Sequence, residues 1–596
     1  MFHLALSKNK NFWDNSITNI YLGPWMMPEV LKGEFPEYKL IIPEWPWDDL
    51  DKFFNDNLKV WNEYEKFIEK LSNVLNELHG LDWNIKAWKI LVGPWLRRYL
   101  SIICERNETI SSLYSSYDLR SCTIMDHSFL DLQVKDFDDF SKSYHDNNFN
   151  NIIYSYILKK IDTKKKINFK ILNPKTFTSL TLKKKTKKKI FNHTQFLNYF
   201  FSFFFKKNDY YLHSLYLKNR FDIAKLNFKL NNYPYLRPIN SDVRDKRKFD
   251  QNLRKTFFKK IKKEVQVGSD NSFESIALEL IYFMFPRCYL ENFADNLDVS
   301  NTIFKNHNPK IIIDSVSYHK DELFKFWIAQ KTQKGTKLIL FQHGGYYEQF
   351  KFKDDFLAHE LDISDNYLSW GWKKNLKKIT PAGIPISFKK KKLKKNKNLV
   401  NIVLRTAGDY FVNFSTNGNP YKNSETYITD VINIVNNISR DKNIRIFLHP
   451  AGEKNNEIGS PLRPYLEKKI INNNVEYMSG SLEKKINETD LNLFTYIGTP
   501  YNQAISNNIP SVLYHNEKYE PLNEEYRYIY NSMIEKKLMH TNTSSIVNHI
   551  NNENKILNNW WVEKDTIESR NLFCNSFARK IKSIDHLKEV IQELNL

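Results

Sequence analysis

Cysteine is scarce in this sequence, and long apolar runs are missing. Four cysteines occur in 596 residues, at Cys104, Cys122, Cys288 and Cys574, and none has CxxC spacing. Scattered cysteines of this kind argue against a zinc site or a disulfide framework and fit a reducing cytoplasm. No stretch reaches the roughly 18 apolar residues that a membrane-spanning helix needs. Residues 1–12 do not read as a secretory signal. We therefore expect a cytoplasmic protein.

Several motifs of nucleotide and metal enzymes are also missing. The sequence has no GxGxxG, no Walker sequence and no HExxH. The acidic pairs at 48–49, 138–139 and 354–355 do not follow predicted strands, which argues against the metal-binding carboxylate pair of metal-dependent sugar transferases. We expect no essential metal and no cofactor.

The composition is that of a folded protein with more than one domain. At 596 residues the chain is too long for one core, and 41% apolar with 15% aromatic residues is ample for several. The formal net charge is +21. This excess indicates either a solvated lysine surface or attraction to an anionic membrane or nucleic acid.

Strands and helices alternate over much of the chain. Apolar runs predict strands at 17–22, 40–42, 310–314, 337–341, 366–370, 399–404, 444–448, 495–497 and 511–514. Helical spacing predicts helices at 47–79, 83–103 (interrupted at 93–94), 147–160, 272–285, 321–333, 423–438, 462–470, 501–507, 543–551 and 566–594. This rhythm predicts an α/β protein with two facing Rossmann-like domains.

The predicted domains follow changes of composition. They are an N-terminal part of the first domain at 1–160, a mostly helical basic and aromatic insertion at 161–265, the remainder of the first domain at 266–388, a linker at 389–398, a nucleotide-donor domain at 399–545 and closing helices at 546–596.

The insertion begins with a strongly basic block. Thirteen lysines lie between Lys159 and Lys189, and an aromatic run follows at 196–205. Lysines near an anionic surface contribute roughly 1 kcal/mol each, and aromatic rings insert at the interface, so residues 159–205 suggest a peripheral membrane contact. The alternative is a solvated loop followed by a buried aromatic helix.

The first candidate site follows the predicted strand 337–341. Residues 342–345 read Gln-His-Gly-Gly. Imidazole exchanges a proton near neutral pH, so His343 is a candidate general base, with Gln342 beside it. Gly344 and Gly345 let a backbone approach a ligand closely on the acceptor side. The alternative is a histidine that bonds only its own loop.

Further polar residues follow the predicted strands of the second half. Arg405 is suited to bidentate phosphate binding, and His449, turned outward by Pro450, can donate to a phosphate oxygen. Gly498 and Thr499 open a helix whose N-terminal amides could cradle a phosphate. The alternatives are a surface ion pair for Arg405 and an ordinary helix cap at 498–500.

Three weaker candidates complete the set. Glu520 follows the strand at 511–514 and could receive ribose hydroxyls. Arg287 and Glu291 follow a helix of the first half and could face the acceptor. The alternative for this pair is a buried ion pair.

Together these motifs resemble the transferases encoded in bacterial surface-polysaccharide (O-antigen) gene clusters. The resemblance covers nearly the whole chain. It rests on Leu-Gly-Pro-Trp at 22–25, Gly-Pro-Trp-Leu at 93–96, Phe-Pro-Arg-Cys-Tyr-Leu-Glu at 285–291, Gln-His-Gly-Gly at 342–345, Leu-Ser-Trp-Gly-Trp at 368–372, Gly-Thr-Pro-Tyr-Asn-Gln-Ala at 498–504 and Asn-Trp-Trp at 559–561.

More distantly, the His-Gly and His-Pro pair is similar to that of teichoic acid glycerophosphotransferases and of bacterial sialyl- and Kdo-transferases. This resemblance implies a GT-B scaffold and a CMP- or CDP-linked donor, and the missing carboxylate pair predicts that it is metal-independent. It also implies a glycan or lipid-linked glycan acceptor. His343 would be the base and His449 the phosphate ligand.

Two other functions remain open from the sequence. A nucleotide-sugar epimerase on the same architecture would act without an acceptor. A nucleic-acid-binding protein is suggested by the net charge, but the basic residues are not interleaved with a nucleic-acid module, so we expect no nucleic acid as partner.

Overall fold

The structure is a computed structural model of the chain. It describes residues 1–7, 9–23, 39–172, 209–217, 220–232, 242–352, 354–385, 396–405, 410–412, 414, 422–448, 462–472, 474–478, 481–518, 520–552 and 557–594.

Strands and helices alternate from the first residues of the chain. The strands are β1 (Phe2–Ala5), β2 (Thr18–Tyr21), β3 (Leu40–Ile41), β4 (Leu119–Met125), β5 (Asn168–Leu172), β6 (Tyr210–Leu212), β7 (Ile311–Asp314), β8 (Lys337–Phe341), β9 (Asn366–Ser369), β10 (Ile379–Pro381), β11 (Asn396–Val403), β12 (Asn443–Phe447), β13 (Val475–Met478), β14 (Thr489–Phe494), β15 (Ser511–Tyr514) and β16 (Met539–His540).

The helices of the described residues are α1 (Leu50–His79), α2 (Ile85–Leu91), α3 (Gly93–Ser116), α4 (Phe137–Ser143), α5 (Asn147–Ile161), α6 (Arg220–Lys229), α7 (Gln251–Glu264), α8 (Phe273–Met284), α9 (Phe293–Ile303), α10 (Ser317–Lys320), α11 (Glu322–Gln333), α12 (Asp355–Ile363), α13 (Lys422–Asn437), α14 (Leu462–Lys469), α15 (Leu482–Lys485), α16 (Thr499–Ser506), α17 (Arg527–Glu535), α18 (Thr543–Asn551), α19 (Leu557–Trp560), α20 (Lys564–Phe577) and α21 (Ile584–Gln592). Within the described ranges, none of these helices combines the length and the apolar character that crossing a bilayer would take.

The chain divides into two compact units. The first comprises Met1–Ser214, Asn227–Leu338 and Tyr410–Asn413. The second comprises Leu215–Leu226, Ile339–Asp409 and Phe414–Leu596. The domain boundaries drawn from the sequence stay predictions.

The first sheet lies in the first unit and has the order β3-β2-β1-β4-β5, with parallel pairing throughout. Its central strand is β1, where Leu4 and Ala5 are fully buried. His3 is buried in the same strand because its ring nitrogens bond Ser121 and the carbonyl of Phe12. The sequence analysis missed this strand because four residues that include a histidine do not read as an apolar run.

The second sheet has the order β10-β9-β8-β7-β6. The pairs β6–β7, β8–β9 and β9–β10 are parallel. The boundary between the units falls inside β8, after Leu338. The predicted bounds of β8 are confirmed, and its carboxyl end leads directly into Gln342.

The third sheet belongs to the second unit and has the order β13-β12-β11-β14-β15-β16, again with parallel pairs. This is the 3-2-1-4-5-6 order of the doubly wound fold, in which ligands bind where the strand order reverses. Here the reversal falls between β11 and β14. The polar residues that follow these two strands are Arg405 and Thr495. The parallel sheets confirm the predicted α/β class.

The predicted strand at 495–497 is wrong. The strand is β14, which ends at Phe494, and a turn occupies 495–498 before α16. Asn492 lies in the middle of β14, fully buried, where its carbonyl oxygen accepts from the amide of Asn401 on β11 at 2.9 Å. A buried asparagine is tolerated only when it is bonded, and it hides the apolar pattern of the strand.

The interruption predicted at 93–94 is confirmed, because α2 ends at Leu91 and Pro94 lies in the first turn of α3, where a proline needs no N–H. The predicted helix at 566–594 differs from the structure, where it is divided into α20 and α21. By contrast, α1 ends where predicted, since Gly80 adopts the left-handed conformation (φ 64°) that closes a helix.

Candidate active site

The loop that carries His343 is fixed by Gln342. This glutamine is 1% exposed. Its side-chain oxygen accepts from the backbone N–H of Trp370 at 2.7 Å and from the indole of Trp372 at 2.8 Å. Its side-chain nitrogen donates to the carbonyl of Gly344 at 2.7 Å. Both ends of the amide are thus engaged within the protein, and the geometry gives Gln342 the role of holding the loop in place.

His343 is paired with a carboxylate that the sequence analysis did not single out. The ring Nδ1 lies 3.0 Å from Oε1 of Glu360 on α12. The His343 side chain is 17% exposed, whereas that of Glu360 is fully buried. With Nδ1 turned to the carboxylate, Nε2 is the nitrogen that can take up a proton. A buried carboxylate in this position orients the ring.

Two tyrosines satisfy the remaining bonds of Glu360. Tyr347 donates its hydroxyl to Oε1 at 2.9 Å, and Tyr367 donates to Oε2 at 2.6 Å. These bonds matter because a buried carboxylate is stable only when its oxygens are paired. Together they hold the carboxylate of Glu360 at the histidine.

A sequence signal for Glu360 did exist. In α12 the glutamate lies three residues from both Leu357 and Ile363, which are buried. It therefore occupies a position in the apolar stripe of the helix, where an apolar side chain is expected. A charged residue in such a stripe indicates a specific buried partner, and that partner is His343.

The two glycine-containing loops of the second unit contact each other. The backbone N–H of Gly345 donates to Oγ1 of Thr499 at 3.1 Å, and the side chain of Asn502 donates to the carbonyl of Gly345 at 2.8 Å. A Cβ at position 345 would lie 2.5 Å from the backbone nitrogen of Thr499. The absence of a side chain at Gly345 is what permits this approach.

This contact bears on the predicted phosphate cradle. Gly498 is the N-cap of α16, and Pro500 lies in its first turn, as the alternative of an ordinary cap predicts. The Thr499 hydroxyl accepts a bond from the Gly345 loop. The predicted acceptor-side and donor-side loops are thus joined.

Arg405 and Glu520 are also brought together. Arg405 follows β11, and its Nη1 lies 2.7 Å from Oε1 of Glu520, with both side chains buried. The guanidinium lies 4.4 Å from the ring centroid of Tyr427, whose hydroxyl accepts from the Arg405 backbone N–H. Burial raises the pKa of the Glu520 carboxyl above its ordinary value, and Arg405 offsets part of the rise. The two residues predicted for the donor are an ion pair.

His515 supports this pair from the end of β15. Its Nε2 lies 2.8 Å from the backbone carbonyl of Glu520. Burial lowers the pKa of His515 to about 4, so the ring is neutral at pH 7 and donates to that carbonyl. The sequence analysis missed this residue.

The acceptor-side candidates of the first unit are engaged in ion pairs. Arg287 forms two bonds with Asp245, at 2.9 and 2.8 Å. Glu291 forms a fully buried pair with Arg254, at 2.6 and 2.9 Å. Both residues are therefore in ion pairs, as the alternative predicted. Arg287 pairs with Asp245 and Glu291 with Arg254, so they do not pair with each other.

Some predicted features lie outside the described residues. These include His449, Pro450 and most of the basic and aromatic block, from residue 173 to residue 205. The role of His449 as a phosphate ligand stays a prediction. In the part of the chain that the structure describes, no three His, Cys, Asp or Glu side chains are grouped as a metal site.

Comparison with solved structures finds distant likenesses. A glycosyltransferase from Rickettsia africae ESF-5 is 12% identical, with 65% of this chain and 97% of that chain covered and a TM-score of 0.37. The apo form of the lipopolysaccharide outer core galactosyltransferase WaaB is 12% identical, with 64% and 98% covered and a TM-score of 0.34. UDP-N-acetylglucosamine 2-epimerase from Rickettsia bellii is 11% identical, with 51% and 81% covered and a TM-score of 0.29.

Comparison of the sequence itself is more informative. No curated protein matches the chain significantly. A family model described as LIC12162 family transferase matches residues 2–594. Since this match spans almost the entire sequence, the chain belongs to the LIC12162 family of transferases.

Proposed function

We propose that this transferase moves a glycosyl or glycerol-phosphate-like group from a cytidine-activated donor to a growing cell-surface polysaccharide. In this proposal it is a metal-independent enzyme of the GT-B type, located in the cytoplasm and resting on the inner membrane. The acceptor is a glycan or a lipid-linked glycan. The observation that carries the proposal is the pairing of His343 with the buried carboxylate of Glu360.

In the proposed reaction, Nε2 of His343 takes the proton of an acceptor hydroxyl. The hydroxyl oxygen then forms a bond to the donor's reacting carbon or phosphorus, and the bond from that atom to the leaving phosphate oxygen breaks. Glu360 stabilises the positive charge that the imidazole gains. The proton ends on the ring, and the negative charge ends on the released nucleotide.

On the donor side, Arg405, His449 and Thr499 hold the leaving phosphate. Arg405 supports this role because it follows β11, at the point where the strand order of the third sheet reverses. Its ion pair with Glu520 orients the guanidinium before the donor arrives. A fixed cation stabilises the charge that develops on a leaving phosphate. Glu520 takes the ribose hydroxyls in this scheme.

A screen of thermal stability with CMP, CDP, UDP and GDP tests the donor. A ligand that binds only the folded protein raises its melting temperature. At a ligand concentration one hundred times the Kd, the free energy of unfolding rises by about 2.7 kcal/mol. We expect CMP or CDP to stabilise the protein and UDP and GDP not to. Stabilisation by UDP or GDP alone would show that the cytidine assignment is wrong.

Acceptor dependence tests the reaction type. Release of nucleotide should require a glycan acceptor, apart from slow hydrolysis. Turnover of a nucleotide sugar to an isomer with no acceptor present would instead identify an epimerase.

A further inference from the structure

A cavity of about 320 Å³ opens beside the His343 loop, within the second unit. Tyr346 lines it, three residues after His343, and Leu361 lines it from α12, the helix that carries Glu360. Its volume lies at the lower end of the range of small-molecule sites, ~300–1,000 Å³. The cavity therefore has the size for a compact ligand and shares its walls with the elements of the candidate base.

Aromatic rings form part of the cavity wall. Tyr346, Phe350 and Phe352 all line it, and the two phenylalanine rings are stacked with centroids 6.2 Å apart and planes 14° apart. An aromatic face packs well against an apolar face of a ligand, and a wall of this kind with a few fixed polar groups is typical of small-molecule sites.

The polar groups of the cavity are fixed and balanced in charge. Glu348, whose side chain is 7% exposed, receives the ammonium group of Lys374 on both oxygens, at 2.7 and 2.6 Å. Its backbone is in the left-handed region (φ 63°), which a residue other than glycine adopts only when the surroundings hold it there. The side chain of Asn523 donates to the Glu348 carbonyl at 3.1 Å. The carboxylate is thus held at the cavity.

This balance of charge selects between ligand classes. The lining carboxylates, Glu348 and Asp354, match the lining ammonium groups of Lys351 and Lys374, so the cavity has no excess positive charge for a phosphate. An uncharged ligand with one apolar face and several hydroxyl groups meets the same surface favourably, because carboxylate and amide groups bond hydroxyls. A pyranose ring has this chemistry.

We propose that this cavity is a carbohydrate subsite that binds one uncharged pyranose ring of the acceptor glycan. The assignment of the ring to the acceptor rests on the proposed function. The existence of a sugar site rests on the cavity alone. Tyr346 lies three residues after His343, so one wall of the cavity belongs to the loop that carries the candidate base.

Saturation-transfer NMR on the full chain tests the subsite. The probes are the methyl pyranosides of glucose, galactose, mannose and N-acetylglucosamine, without nucleotide. We expect at least one to bind, with a roughly millimolar Kd for a ligand of this size. Tyr346→Ala should weaken that binding at least tenfold. Leu361→Trp, which fills the cavity rather than emptying it, should abolish it.

The matched control is Tyr528→Ala, which removes a tyrosine that is 58% exposed and does not line the cavity. It should leave binding unchanged. The subsite would be overturned if none of the pyranosides received saturation from the wild-type protein. It would also be overturned if binding survived in both cavity variants.

Different results would contradict the subsite and the proposed function. His343→Ala should lose group transfer and keep pyranoside binding. If the wild-type protein binds a pyranoside through the cavity but is stabilised by no nucleotide, the proposed function is wrong and the sugar site stands.

Discussion

At the scale of single residues, the carboxylate of Glu360 decides what His343 can do. An isolated surface histidine would be free to rotate, whereas here Nδ1 is held 3.0 Å from a buried carboxylate. The ring is therefore held with Nδ1 facing the carboxylate and Nε2 turned away from it. Glu360 is therefore a positioning residue for the candidate base.

Glu360→Gln should lower kcat by about 10²–10⁴-fold with little change in KM, because the amide cannot stabilise an imidazolium. Single-turnover transfer measures the chemical step directly. The pH profile is the second readout, since a purely structural role would not shift it. Glu568→Gln changes a glutamate that is 65% exposed and should retain full activity. Equal kcat values for both variants would contradict the role of Glu360.

His515 supplies a residue-scale prediction for pH. Burial lowers the pKa of His515 from 6.5 to about 4. Between these two pH values, the ring is therefore protonated in the unfolded chain but neutral in the folded chain. The stability that depends on this neutral ring is present above pH 6.5 and is lost as the pH falls towards 4. The free energy of unfolding of the wild-type protein, minus that of His515→Gln, should fall by about 2 kcal/mol between about pH 7.5 and pH 5. Urea unfolding at both pH values measures it. A constant difference would show that the ring does not stay neutral.

At the scale of elements, the contact between the His343 loop and α16 is the feature that depends most on one residue. Gly345→Ala would place a Cβ 2.5 Å from the nitrogen and 2.7 Å from the Cα of Thr499. Because these are backbone atoms, the loop and the start of the helix would have to move apart. We expect a loss of about 1–3 kcal/mol of stability and of most transfer activity.

The control for Gly345→Ala is Gly268→Ala, where an added Cβ would meet nothing within 4 Å. This variant should melt within a degree or so of the wild-type protein and keep its activity. Normal stability of Gly345→Ala in thermal unfolding would show that the two loops do not pack as described.

Elements were predictable from the sequence where the pattern was long and regular. The helix α1 and the strands β8 and β15 follow from apolar spacing, and Gly80 marks the end of the helix. The strands β1 and β14 did not, because buried polar residues interrupt them. His3 and Asn492 are buried only because partners distant in sequence, Ser121 and Asn401, bond them. Such bonds cannot be read from a local window.

At the scale of the whole molecule, the net charge of +21 predicts attraction to anionic surfaces. If the block at 159–205 is the membrane contact, the full chain should bind vesicles that contain phosphatidylglycerol at low salt and leave them at high salt. Six Lys→Gln changes in the block should abolish binding, at ~1 kcal/mol for each lysine. The changed lysines are Lys183, Lys184, Lys185, Lys187, Lys188 and Lys189.

The matched control removes the same charge elsewhere, at Lys389, Lys390, Lys391, Lys392, Lys394 and Lys395. A vesicle flotation assay compares the two variants. If both lose binding equally, overall charge rather than the block at 159–205 is responsible, and the proposed membrane contact is wrong.

The sequence alone determined the α/β class, the family and the position of His343 after a strand, because these depend on local periodicity and on motifs that adjoin in the chain. The tertiary structure decided how those residues are used. It paired His343 with Glu360, Arg405 with Glu520 and Gly345 with Thr499. It also gave the third sheet a strand order that reverses between β11 and β14, with Arg405 following β11. These are contacts between separate strands, loops and helices, and their energies depend on burial and on distances that only the folded chain defines.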